Sequence, residues 1–373
     1  MSFENMNKIL EIDECNLVTI VESGVILYDL RQALEKRGLF YPADPGERSS
    51  AIGGNINTNA GGINGVKYRN TRSYVLGLEA VLSSGKVLRL GSKTIKRSSG
   101  YELMHLIIGS EGPLAAVTKV ILKILKLPKR FITLYVPFPT LSDAITTVPI
   151  VIRRKTTPTA IEFFEKEPLL IVEKYTGKTM PHHDAEAYLL LRIDGEKINE
   201  LHELAEAIAD ICLENNALDV LVADTKRAQE RIWDLRGRFY EALVENDVTE
   251  IVDTVVPPCT IADYMEEVKH FSKKWNIRIL GLGHAGDGNI HLVLIKDDLR
   301  DKDWKEKYPK TMKQLYETAV KFGGTISGEH GIGMDKKVYL PISIGEEELK
   351  LMKGVKQLFD PNYILNPGKI FDI

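Results

Sequence analysis

Two histidines, His284 and His291, flank a Gly-Asp-Gly-Asn turn in the run RILGLGHAGDGNIHLVLI, and a Glu-His pair, Glu329 and His330, sits in the glycine-flanked SGEHGIG. If Asp287-Gly288 is a two-residue hairpin loop, Gly286 faces Asn289 and His284 faces His291. Directly opposed cross-strand residues have Cβ atoms roughly 4.5–5.5 Å apart, so both imidazoles would reach one metal ion. Glu329 offers the carboxylate of a two-His, one-carboxylate set, which suits Zn, Mn or Fe and leaves positions open for a substrate. His330 offers a base. The plain alternatives are a surface hairpin with incidental histidines and an ordinary loop between helices. Because the chain holds 8 histidines in all, two at mirrored positions around one turn favour function. His182 and His183, in MPHHDAE, read instead as solvated loop histidines.

Two further stretches could hold a ligand by their backbone. Residues 52–62 read IGGNINTNAGG and residues 108–112 read IGSEG. Glycine lets N–H groups approach a phosphate or a flat heterocycle, and both stretches are expected as loops that put bare backbone at the surface. Taken singly, each could be a tight turn. No GxGxxG is present, which counts against a Rossmann dinucleotide site.

The elements that must position these groups follow from periodicity. Residues 7–23 read as two short strands, 28–37 as a helix closed by Gly38, SYVLGLEAVLSS and KVLRLG as a hairpin, 101–108 as a helix, and VTKVILKILKL as a strand ending near Pro128. Beyond it RFITLYVPF, TAIEFFE, AYLLLRIDG, DVLVAD, EIVDTVV and RILGLGHA alternate with helices at 141–148, 197–215 and 261–275, predicting a mixed sheet with covering helices. Helices at 310–322 and 346–359 flank the last glycine-rich loop.

With 373 residues the chain suits two or three domains. Lys and Arg number 49 against 52 Asp and Glu, a net charge of −3 without like-charge blocks, so charge points to no nucleic acid or anionic membrane. Cys15, Cys212 and Cys259 form no CxxC pair, which excludes a readable disulfide framework or thiolate metal site and suits a reducing cytoplasm. The acidic N-terminal stretch is unlike a signal peptide, and no run reaches membrane-spanning length, so any membrane contact is expected to be peripheral.

In order, YPADPG, AIGGNINTNAGG, YVLGLEAVLSSGKVLRLG and GYELMHLIIGSEGPLAAVTKVILKILKLP resemble the later half of the FAD-binding domain of the FAD-linked oxidases, the family that includes glycolate oxidase and D-lactate dehydrogenases. GHAGDGNIH, GGTISGEHGIG and LFDPNYILNPGKIF resemble the C-terminal signatures of the same family. The resemblance implies an α+β chain: a truncated FAD-binding domain of the PCMH/vanillyl-alcohol-oxidase type over residues 1–128, a ferredoxin-like substrate cap over 129–320, and a C-terminal segment, 321–373, that returns to the flavin. It places Pro42, Ile52, Gly53, Gly54, Asn59, Gly61, Gly62, Gly109, Ser110, Glu111, Gly112, Val117 and Asn366 against FAD. It makes His284, His291 and Glu329 ligands of a divalent metal, His330 the base, and Arg236 of IWDLRGRF the clamp on a substrate carboxylate.

Three departures from the family pattern bear on function. Pro113 replaces the Thr usual after GSEG and removes an N–H and a hydroxyl. Val293 and Ile251 stand where 2-hydroxyglutarate dehydrogenases carry Asn and Lys, which argues for a short acid. The Arg-Gly-Gly-Gly-Thr loop that binds the FAD pyrophosphate in the family does not precede Ile52, and two buried phosphate charges need facing donors. The expected activity is oxidation of a small 2-hydroxyacid. Alternatives are a subunit of a split oxidoreductase needing a partner polypeptide, a metal-dependent hydrolase, although HExxH is absent, and a non-catalytic relative.

Overall fold

Val18 and Val21 in Val18–Glu22, and Val75, Leu78 and Ala80 in Val75–Val81, are β-forming or small apolar residues that these strands bury. The computed structural model describes residues 2–154, 157–245 and 248–372. The chain divides into two units: Met1–Asn64, Tyr68–Leu127 and Glu329–Ile373 form the first, and Gly65–Lys67 with Pro128–Gly328 the second.

The first unit is built on strands β1 (Ile9–Asp13), β2 (Val18–Glu22), β3 (Val75–Val81), β4 (Val87–Gly91) and β5 (Ala116–Lys123), in the antiparallel order β1-β2-β5-β3-β4. Helix Leu27–Glu35 inserts Leu27, Leu30 and Leu34, spaced along one face, into the core with Val21, Leu78, Val120 and Leu122.

The expectation of a surface loop over IGGNINTNAGG is corrected. Ile52–Thr58 is a helix, and Ile52, Gly53, Asn55 and Ile56 are buried. A Cβ on Gly53 would lie 2.7 Å from the Ser23 Cβ, and the Gly53 N–H donates to the Ser23 carbonyl at 2.8 Å. The glycine that weakens the helix in isolation thus lets its backbone lie directly against the chain at Ser23, and tertiary packing overrides local propensity. Asn59, in the left-handed region at φ 52°, ends the helix.

Helix Glu346–Phe359 carries three glutamates in its first turn, where their charge complements the positive end of the helix dipole. Near its other end the Lys356 ammonium is buried and donates to Asp360 Oδ2 (2.5 Å), the Pro113 carbonyl (2.8 Å) and the Leu365 carbonyl (2.9 Å). One cation therefore ties the helix to both the IGSEGP segment and the stretch leading to Asn366. Burial alone would raise the Asp360 carboxyl, but Lys356 and the N–H groups of Leu365 and Ile364 hold it below its usual range. Because the folded pKa is the lower one, this stabilisation is complete above about pH 4 and fades as pH falls through the lowered folded value. Lys356→Met, which strands the carboxylate, is expected to cost about 3–5 kcal/mol, read as a fall in the urea midpoint; an unchanged midpoint would refute the role.

The second unit contains β6 (Arg130–Phe138), β7 (Ala160–Glu165), β8 (Ala187–Gly195), β9 (Leu221–Ala223), β10 (Val248–Val255), β11 (Arg278–His284) and β12 (Asn289–Ile295) in the order β9-β6-β8-β7-β11-β12-β10. Every neighbouring pair is antiparallel, which corrects the mixed sheet. Crossover helices Leu141–Ile152 and Ile198–Glu214 each join strands that run the same way, but another strand lies between them, so no parallel strands are adjacent.

Several helices differ from expectation, among them Lys226–Gly237 and Phe239–Glu245, where no helix was expected. Lys166–Thr176 follows β7 directly, where periodicity predicts no helix; Leu141–Ile152 runs past residue 148; and Asp301–Lys321 begins well before residue 310, carrying Pro309 inside it. Tyr135, Tyr188 and Phe164 stack in series, and Phe239 tilts against Phe164, in the apolar core of this unit. No described helix is long and apolar enough to cross a membrane.

Candidate functional site

The hairpin β11–β12 pairs His284 with Asn289 and Leu282 with His291, so the expected His284–His291 opposition is corrected: each partner moves by two residues. The turn takes four residues rather than two because the Gly286 N–H donates outward to the Ile161 carbonyl of β7 (3.1 Å) instead of across the hairpin. Gly288, at φ 85°, closes it; a Cβ there would lie 1.9 Å from the Val256 carbonyl oxygen. Because the partner moves by two residues, the strand's side-chain period, the face on which each side chain stands is preserved. The imidazoles are therefore diagonal neighbours, with ring centroids 5.2 Å apart and planes at 88°.

Registers across β7, β11, β12 and β10 lay out that face. Glu162 lies opposite His284; one row further along come Phe164, Leu282, His291 and Asp253; the row after that holds Leu280, Val293 and Ile251. A polar row thus borders an apolar one.

Glu162 is wholly buried, and each of its carboxylate oxygens has its own partner. Oε1 lies 2.6 Å from His284 Nδ1, while Oε2 accepts from Arg236 Nε at 2.8 Å and Nη2 at 2.5 Å. Burial would raise the Glu162 carboxyl, but its interactions with His284 and Arg236 hold it below its ordinary value. As an acceptor it assigns the proton to Nδ1 and so leaves the lone pair of His284 on Nε2, the tautomer in which an imidazole ligates a metal. Arg236, at the end of helix Lys226–Gly237, has a side chain only 13% exposed. It is therefore not a solvated helix-face arginine.

Asp253, also buried, accepts from Asn289 Nδ2 (2.7 Å), Ser327 Oγ (3.0 Å) and the Gly328 N–H (2.9 Å). It fixes the end of the segment from which Glu329 and His330 continue. Within the first unit, a Cβ on Gly61 would come 2.8 Å from Glu329 Oε2, and the Ile332 and Gly333 N–H groups donate to the Glu111 carboxylate at 2.6 and 2.8 Å. Asn366 Nδ2 donates to the Glu111 carbonyl at 2.6 Å. Glu111, itself at φ 60°, thus clasps the loop carrying His330, whose side chain is exposed.

The remaining glycine-rich positions gather around the same unit. Asn59 Oδ1 accepts from the Arg72 N–H (2.9 Å), Arg72 Nη2 donates to the Ile108 carbonyl (2.7 Å), and Gly109 follows at φ 81°. Asn64 Nδ2 donates to the Pro42 carbonyl at 3.3 Å, and Gly62, at φ 128°, leaves a Cβ no room beside Asp44. Val117 is buried and its carbonyl accepts from Ser23 Oγ; Gly54 is exposed, and Gly112 stands at φ 90° near Asn366. Asn55 Nδ2, Asn57 Oδ1, Asn64 Oδ1 and Ser110 Oγ are buried without a protein partner. Buried polar groups are costly unless satisfied, so this concentration along the two glycine-rich stretches fits a polar heterocycle.

Both donor sets accommodate the groups that the sequence implied: imidazoles with an oriented tautomer for a metal, and an amide-rich cradle for a flavin. Glu162, Asp253 and Asn289 were missed by sequence reasoning; the one available signal was a glutamate inside AIEFFE, a strand otherwise buried on both faces. His182 and His183 are not simply solvated: they meet Asp219 at 3.1 Å and Glu173 at 2.9 Å, respectively.

Comparison with known proteins agrees with this layout. Residues 127–370 match the model of the C-terminal domain of FAD linked oxidases, and residues 1–91 match an FAD binding domain. A D-lactate dehydrogenase of Anaerostipes hadrus is 43% identical over 99% of this chain and 79% of its own length. Glycolate oxidase subunit GlcD of Bacillus subtilis is 40% identical over 99% and 78%. The solved structure of p-cresol methylhydroxylase with substrate bound superposes with a TM-score of 0.74 at 17% identity, covering 99% of this chain and 79% of that one, a likeness of fold.

Proposed function

Because the chain belongs to the FAD-linked oxidase family, we propose that it oxidises a short 2-hydroxyacid of the D-lactate or glycolate type to the 2-oxo acid. The observation that carries this reading is the Glu162–His284–His291 arrangement, an oriented imidazole pair beside an arginine and next to an apolar row. FAD, when bound, supplies the hydride acceptor at N5, and a divalent metal such as Zn, Mn or Fe supplies Lewis acidity.

His284 and His291 hold the metal together with Glu329. Arg236 orients the substrate carboxylate, and His330 takes the hydroxyl proton, so that loss of this proton and of the α-hydride leaves the 2-oxo acid. Pro42, Ile52–Gly54, Asn59, Gly61, Gly62, Gly109–Gly112, Val117 and Asn366 hold the flavin. A ferredoxin-like cap over 129–320 carries the substrate side, and 321–373 completes the site.

Val293 and Ile251 face each other across β12 and β10 in the apolar row. A second substrate carboxylate would lose hydration there without gaining a partner, at about 1–3 kcal/mol. We expect kcat/KM for D-lactate or glycolate to exceed that for D-2-hydroxyglutarate by about 10- to 100-fold; the reverse preference would refute the short-acid reading.

A second reading is favoured by an exposed apolar group just before IGSEG: Ile95, Leu103 and Leu106, with Tyr101 92% exposed. In it the chain is a subunit of a split oxidoreductase, and a partner polypeptide covers these residues and supplies donors to the FAD pyrophosphate. Purified alone, such a subunit would be colourless and would retain FAD only with its partner.

A further inference from the structure

We propose that Glu162 is a positioning residue that serves metal and substrate together, one carboxylate dividing its oxygens between the His284 imidazole and the Arg236 guanidinium. The inference rests on the proposed metal at His284 and the proposed substrate clamp at Arg236. All three residues lie in the second unit, on β7, β11 and the end of helix Lys226–Gly237, respectively.

The geometry makes the two tasks inseparable. His284 Nδ1 and Glu162 Oε1 are 2.6 Å apart, so the carboxylate fixes both the tautomer and the ring plane of the ligand. Arg236 Nε and Nη2 converge on the other oxygen, at 2.8 and 2.5 Å, so the same group sets the angle of the guanidinium fork. Glu162 cannot rotate to improve one contact without spoiling the other. Its position in a central strand, wholly buried and opposite His284 in register, leaves the carboxylate little freedom. Gln at this position keeps the shape and can still accept from Nδ1–H. It loses the charge that stabilises a cation on the far side of the ring, and presents an amide in place of one carboxylate oxygen.

The test is Co(II) binding by isothermal titration calorimetry to chelator-stripped protein, with steady-state kinetics on the reconstituted enzyme. Glu162→Gln is expected to weaken Co(II) about 10- to 100-fold and to raise KM for D-lactate more than it lowers kcat. Glu162→Asp, which retains the charge but withdraws it by one methylene, is expected to fall between Gln and wild type; it carries the test alone if the Gln variant does not melt cooperatively. His284→Ala separates the two levels. If His284→Ala binds Co(II) as tightly as wild type, the metal assignment itself fails. If His284→Ala loses Co(II) while both Glu162 variants bind like wild type, only the positioning role is overturned. Weakened Co(II) binding with an unchanged KM would overturn the Arg236 half.

Discussion

Replacement of His330 by Asn is expected to slow flavin reduction by D-lactate about 10³-fold, while changing substrate affinity by less than about threefold. Backbone hydrogen bonds anchor the loop on both sides of this residue: Ile332 and Gly333 donate to Glu111, and the preceding Gly328 donates to Asp253. The imidazole is exposed, so its loss opens no cavity. The effect should therefore appear in the chemical step, measured by anaerobic stopped-flow. His183→Asn, which alters an exposed imidazole paired with Glu173, serves as the control and should leave the rate unchanged. Reduction by the His330 variant at the wild-type rate would remove the residue from the mechanism.

Exhaustive chelation is expected to lower turnover by about 10²- to 10⁴-fold, as loss of several kcal/mol of Lewis-acid stabilisation requires, with recovery on adding Zn, Mn or Co. His291→Ala should reproduce the loss without recovery. The expectation draws on the hairpin, where the two rings stand 5.2 Å apart and Glu162 orients one of them. Full activity in protein shown by elemental analysis to be metal-free would exclude the metal.

The sequence disclosed most where a single physical signal dominates. Ile261, Tyr264, Met265, Val268 and Phe271 recur at helical spacing, and helix Ile261–Trp275 runs as that pattern dictates, ending at Asn276 in the left-handed region. Helix Glu346–Phe359 likewise forms over the range expected for it. Local reading failed where partners distant in sequence decide. IGGNINT forms a helix because Gly53 packs on Ser23, and nothing within the heptapeptide announces that contact. The hairpin gained a longer turn because Ile161 captured the Gly286 N–H.

The site shows the same division. His284, His291, Glu329 and His330 stood out through rarity and mirrored placement, properties of the chain itself. Glu162 and Asp253 did not, since an acidic residue in a strand reads as the outward half of an alternation. Only the registers of β7 against β11 and of β10 against β12 turn them inward, towards His284 and His291. The groups proposed to do the chemistry were thus more legible than those proposed to aim them.

Anaerobic titration of the FAD-loaded, metal-replete protein with D-lactate, followed by its absorption spectrum, bears most directly on flavin-dependent 2-hydroxyacid oxidation at this site. The oxidised flavin band should bleach in proportion to the acid added, with pyruvate formed in equal amount. A band unmoved by D-lactate and glycolate alike, in protein verified to contain both FAD and metal, would contradict the assignment.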